Sequence, residues 1–107
     1  MTVQNLIDSG KFGTVNVGGD TARGITKPFC CDLLSIAMGR APEGCAWVTV
    51  MGNLNSIAVA VLADVACIVL AENMPLDADA QARAEAENVT VLRTSLPVFE
   101  AAVKMAQ

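Results

Sequence analysis

Hydrophobic and polar positions change period several times along the chain, and each change marks an element. Val3, Leu6 and Ile7 recur at helical spacing behind Thr2, whose hydroxyl suits a helix start, and Ser9-Gly10 closes the segment. Phe12-Gly13-Thr14-Val15-Asn16-Val17 alternates with period two, as a strand with one covered face does. Gly18-Gly19-Asp20 then turns the chain back through residues 22–26, which predicts a hairpin or a wide β-loop at a sheet edge. Residues 27–31 read as a short strand. Asp32 is placed to cap a helix over residues 33–38, with Gly39 as its stop and Ala41-Pro42-Glu43-Gly44 as a surface turn.

The second part of the chain repeats one theme three times. Predicted strands at residues 46–51, 66–70 and 90–93 are each followed by a polar loop and a helix, at residues 56–63, 77–87 and 97–105. Strand–helix alternation at this spacing means βα units on a parallel sheet. Trp47-Val48-Thr49-Val50 and Cys67-Ile68-Val69-Leu70 are apolar on both sides, as strands covered on both faces are. The helix at 56–63 is apolar nearly all round, so it is expected to be buried on most faces or to lie at an interface. The helix at 77–87 alternates charge with alanine and reads as solvated. Pro97 is placed at the first position of the last helix, where its missing N–H costs nothing.

Residues 45–71 are long enough to span a bilayer and contain one charge, Asp64. The turn-and-cap cluster Gly52-Asn53-Leu54-Asn55 interrupts them, and no Lys or Arg flanks them closely, so two buried strands and a helix fit better. The first residues carry neither a basic nor an apolar leader segment, which predicts a cytoplasmic protein with no membrane contact.

Composition sharpens this reading. The chain has 107 residues, enough for one domain, and 53% are hydrophobic, built from Ala, Val, Ile, Leu and Met with only Trp47 and three Phe as aromatics. That exceeds what a core of this size absorbs and predicts a subunit interface, hence a homo-oligomer, most simply a dimer. The net charge of −4 argues against a nucleic-acid partner. There is no His, which removes the Ser/His and Cys/His nucleophile pairs and the commonest metal ligand. No Walker A loop is present. No cofactor, metal or catalytic residue is therefore expected. Cys30, Cys31, Cys45 and Cys67 form no C-x-x-C pair and read as free thiols; a redox or Fe–S accessory role is the alternative.

Ligands of open parallel sheets bind at the carboxyl ends of the strands. The polar residues there are Asp32, Ser35, Asn53, Asn55, Glu72, Asn73 and Thr94, and their loops feed helix N-termini, where free N–H groups favour anions. Asp32, Asn53, Asn55 and Thr94 are also good helix caps, so each serves as a cap alone or as a cap that also touches a small anionic or nucleotide ligand. A carboxylate pair such as Asp32 with Glu72 would need the fold to bring the two together. Asp64 reads as an exposed residue at a helix end, and Trp47 as core.

From Phe29 onward the chain resembles the DRTGG domain. The resemblance runs through Phe29-Cys30-Cys31-Asp32-Leu33-Leu34-Ser35, Glu43-Gly44, Trp47-Val48-Thr49-Val50, Asn55-Ser56-Ile57-Ala58-Val59-Ala60, Cys67-Ile68-Val69-Leu70, Val91-Leu92-Arg93-Thr94 and Phe99-Glu100. It covers about three quarters of the chain in order. It implies one DRTGG-like domain over residues 1–107, with a compact α/β fold like the N-terminal domain of HPr kinase, a mostly parallel sheet and helices on both faces. It also implies a regulatory or oligomerising role without catalysis, with a possible protein partner. Such domains accompany HPr kinases, long phosphate acetyltransferases and CBS-containing pyrophosphatases. Some stand alone near iron-only hydrogenases of anaerobes, which implies a link to energy metabolism. Where the family has Thr-Gly-Gly, this chain reads Ala71-Glu72-Asn73, and the loop after Trp47 has Asn53-Leu54 where His-Pro is common.

Overall fold

The structure, a computed structural model, describes all residues 1–107. Ten elements follow in chain order: α1 (Val3–Asp8), β1 (Gly13–Asn16), β2 (Pro28–Cys30), α2 (Leu34–Arg40), β3 (Ala46–Thr49), α3 (Leu54–Ala63), β4 (Cys67–Leu70), α4 (Ala78–Ala86), β5 (Val91–Arg93) and α5 (Val98–Ala106). One five-stranded sheet has the order β1-β5-β4-β3-β2, with β2 to β5 parallel and β1 antiparallel to β5.

Period-two alternation in the strands builds two cores. Trp47, Ile68, Leu70 and Val91 point to the face covered by α2, α3 and α4, where they meet Ala37, Ile57, Ala60, Ala80 and Ala84. Ala46, Val48, Cys67, Val69 and Leu92 point the other way, onto Leu6 and Phe12 and onto Ala101 and Met105 of α5. Because β2 to β5 progress in one direction across the sheet, their three crossover helices share one face, as crossovers of a single hand require. The helix after β5 changes face. Trp47 is fully buried and its indole N–H donates to the Cys31 carbonyl at 2.9 Å, so it is core. No helix is long and apolar enough to cross a membrane.

Several local expectations are corrected. Residues 17–27 form no returning strand. They are a loop tied to α1 by backbone bonds from Val3 to Arg23 and from Gln4 to Thr21, with a single bridge between Thr2 and Gly24. Polar, glycine-rich residues offered that segment no apolar face to cover, so turn chemistry prevailed over alternation. Arg23 pins the loop to the end of α3, donating to the Asp64 carboxylate and carbonyl, both at 2.8 Å. This hydrogen bond holds the exposed Asp64 carboxyl below its usual range. Gly39 does not stop α2, which runs through it to Arg40 and caps at Ala41. Pro97 is the N-cap of α5 rather than its first residue.

Candidate functional site

The carboxyl ends of β2 to β5 lie along one rim, where hydrogen bonds tie several of the loops to their neighbours. Asp32 does not cap α2, whose N-cap is Leu33 without a side-chain bond. Instead its carboxylate accepts from the buried Thr49 hydroxyl at 2.7 Å and from the Val50 N–H at 2.9 Å, latching the β2–α2 loop to the end of β3. The physical reason is competition: Thr49 is buried and its hydroxyl needs an acceptor, and a carboxylate one loop away supplies it. Asn53 is the N-cap of α3, its side-chain oxygen accepting from the Ser56 N–H at 3.0 Å and the Ser56 hydroxyl at 3.3 Å. Ser35 and Asn55 lie on the exposed sides of α2 and α3. Asn55 is inside its helix and caps nothing.

Glu72 and Asn73 form a tight turn after β4, with φ of 55° and 54°. Successive backbone N–H groups in a turn can form a concavity for an anion. Here those groups donate to the carbonyls of Leu96, at 2.9 Å, and Thr94, at 2.8 Å. The turn therefore clamps the β5–α5 loop. The Thr94 hydroxyl accepts from the Leu96 N–H at 3.2 Å, tightening that loop rather than capping α5.

Beside this clamp opens a cleft of about 460 Å³ that contains Asn73 and Thr94 but not Asp32, Ser35, Asn53, Asn55 or Glu72. Its position follows from topology. The loop after β4 leads to α4 on one face and the loop after β5 leads to α5 on the other, so the two part at the carboxyl end of the sheet. The antiparallel β1 closes the cleft's far side. Gly13 pairs with Arg93, which brings the start of β1 to the same rim. Lys11, Arg93 and Lys104 line the cleft with Thr14 and Ser95. The Lys11 ammonium donates to main-chain oxygens of Lys104, at 3.1 Å, and Gln107, at 2.8 Å, at the end of α5. Sequence reasoning missed these three cations. Arg93 was within reach, being next to Thr94 at a strand end. Lys11 and Lys104 carry no local signal, since only the reversed direction of β1 and the return of α5 bring them together.

The cysteines do not gather. Cys30 is exposed, Cys31 half-buried, and Cys45 and Cys67 buried, all as free thiols. No group of three His, Cys, Asp or Glu residues is placed to hold a metal ion, so nothing in the arrangement favours the Fe–S reading. Burial pushes the Cys45 thiol up to about 11 and the Cys67 thiol up to about 12. Burial, with Asp32 nearby, also raises Cys30.

Neither a protein-family model nor a curated protein sequence matches the chain. Among solved structures it is similar to the CBS and DRTGG domains of the regulatory region of a Clostridium perfringens pyrophosphatase, complexed with the activator diadenosine tetraphosphate. The TM-score is 0.79 at 15% sequence identity. The match covers 99% of this chain and 46% of that one, so the chain spans a little under half of its neighbour's length. The fold is DRTGG-like. Within this DRTGG-like sheet the left-handed pair Glu72-Asn73 occupies the two positions where the sequence resemblance puts Gly-Gly. Both residues take backbone angles that glycine adopts without steric cost.

Proposed function

We propose that residues 1–107 form one DRTGG-type regulatory module that acts without catalysis, by pairing with a second copy and responding to a small ligand or a protein partner. The observation that supports the regulatory part is the likeness of nearly the whole chain to part of a pyrophosphatase regulatory region. Pairing is supported by α2 and α3. These helices pack on each other, contain only one charged residue, Arg40, and leave Ile36, Met38, Leu54, Val61 and Leu62 exposed, Leu62 by 73%. A pair of helices with a single charge at one end suits a copy of itself better than a charged partner. In this reading the module works in the cytoplasm, and the resemblance implies a link to the hydrogenase or energy metabolism of an anaerobe.

Sedimentation equilibrium at tens of micromolar tests the pairing. The expected mass is that of two 11.1 kDa chains, and Leu62→Asp is expected to halve it while leaving the circular dichroism unchanged. A wild-type mass of one chain would remove self-association from the proposal.

A second reading, a nucleotide- or anion-sensing domain, is favoured by the cleft that joins Asn73 and Thr94. In it those two residues contact the ligand, while Asp32 and Asn53 hold the neighbouring loops and Ser35, Asn55 and Glu72 remain peripheral.

A further inference from the structure

We infer that the cleft between β1, the β5–α5 loop and the end of α5 binds a small oligophosphate, a chain of two or more phosphoryl groups, through Lys11, Arg93 and Lys104. The inference rests on the ligand-sensing reading and names the chemistry of its ligand.

Charge distribution is the first support. The chain has seven basic and eleven acidic residues, yet three of the seven basic ones line this one cleft and no Asp or Glu does. The second support is availability. Both ion pairs of the molecule lie elsewhere, Arg23 with Asp64 and Arg83 with Glu87, so Arg93 and Lys104 have no carboxylate partner. An arginine fork at a strand end is suited to phosphate oxygens. Lys11 spends two of its three N–H donors on the end of α5, which fixes the ammonium at the cleft wall and leaves one donor for a ligand.

The lining also restricts the ligand. Only Val15 and Leu96 are apolar, and no aromatic residue is present for a base to stack on. Hydroxyl and amide groups of Thr14, Thr94, Ser95 and Asn73 complete the wall. Three cations exceed what one orthophosphate can neutralise and suit a di- or triphosphate. The phosphate chain is therefore what is recognised, and a nucleoside attached to it extends into solvent.

Isothermal titration of the full chain with sodium triphosphate, orthophosphate, sulfate, adenosine and ATP, at matched ionic strength, tests this. Triphosphate and ATP are expected to bind equally within a factor of about three, and at least tenfold more tightly than orthophosphate or sulfate. Raising the salt is expected to weaken both. Arg93→Gln and Lys104→Gln are each expected to weaken triphosphate about tenfold, whereas Lys27→Gln, outside the cleft, leaves it unchanged. Unchanged thermal melting of Lys104→Gln separates this loss from misfolding. If sulfate binds as well as triphosphate, or triphosphate does not bind, the oligophosphate inference is overturned. If ATP binds but neither Arg93→Gln nor Lys104→Gln weakens it, the cleft is not the site and the inference is overturned while ligand sensing stands. If no probe binds, both are overturned.

Discussion

Glu72 and Asn73 hold a left-handed turn that glycine would adopt at no steric cost. Asn tolerates this conformation through its short polar side chain, whereas Glu does not, and the mismatch is on the order of 1–2 kcal/mol. Glycine returns part of that gain as unfolded-chain entropy. Glu72→Gly is therefore expected to stabilise the fold by roughly 1 kcal/mol and raise Tm by about 4 °C, while Asn73→Gly is close to neutral. Differential scanning calorimetry checks both. The four thiols give a second expectation at this scale. A small aromatic disulfide reagent is expected to label exposed Cys30 first and Cys31 slowly, and to reach Cys45 and Cys67 only after denaturant is added. Fast native labelling at all four would show that the two core positions open.

The loops at the carboxyl rim behave as a unit because their backbones touch. A Cβ on Gly52 would lie 2.1 Å from the Pro75 carbonyl oxygen, so the loop after β3 and the loop after β4 can approach only because residue 52 has no side chain. The Gly52 carbonyl also accepts from the Asp77 N–H at 3.0 Å, at the N-cap of α4. Gly52→Ala is expected to cost about 2–3 kcal/mol in urea denaturation, with the m-value unchanged. Most elements were readable before any coordinates. Capped starts such as Thr2 and Asn53, and apolar runs such as Cys67–Leu70, are local signals with local causes. That no strand returns after Gly18-Gly19 was not readable in this way. Strand formation there depended on a partner that the sheet placed elsewhere, since β1 pairs with β5 near the far end of the chain.

At the scale of the whole molecule, the two buried thiols set how the fold responds to base. In the unfolded chain a cysteine loses its proton near pH 9, but in the fold Cys45 and Cys67 hold theirs to about 11 and about 12. Between those values the folded state binds protons that the unfolded state has released, so stability falls as pH rises. The slope approaches about 1.4 kcal/mol per pH unit for each thiol. Urea denaturation at pH 8, 9 and 10 is expected to show a level stretch below 9 and a decline above it. Cys67→Ala lowers the starting stability by leaving a cavity but flattens the decline. An equal decline in that variant would assign the alkaline sensitivity to other groups.

By itself the sequence determined the α/β class, the three βα units, the Asn53 cap of α3 and a composition with no histidine. These follow from periodicity and residue chemistry over a few neighbouring positions. Of the seven polar residues that it placed at the rim, the tertiary structure brought Asn73 and Thr94 into one cleft and engaged Asp32 with Thr49 instead of a helix end. Only the tertiary structure decided that β1 runs against its neighbour and that α5 changes face. Those two choices bring Lys11, Arg93 and Lys104 together across more than ninety positions of chain. A cluster of that kind depends on strand order and direction, which are settled by how whole faces pack and not by the residues on either side.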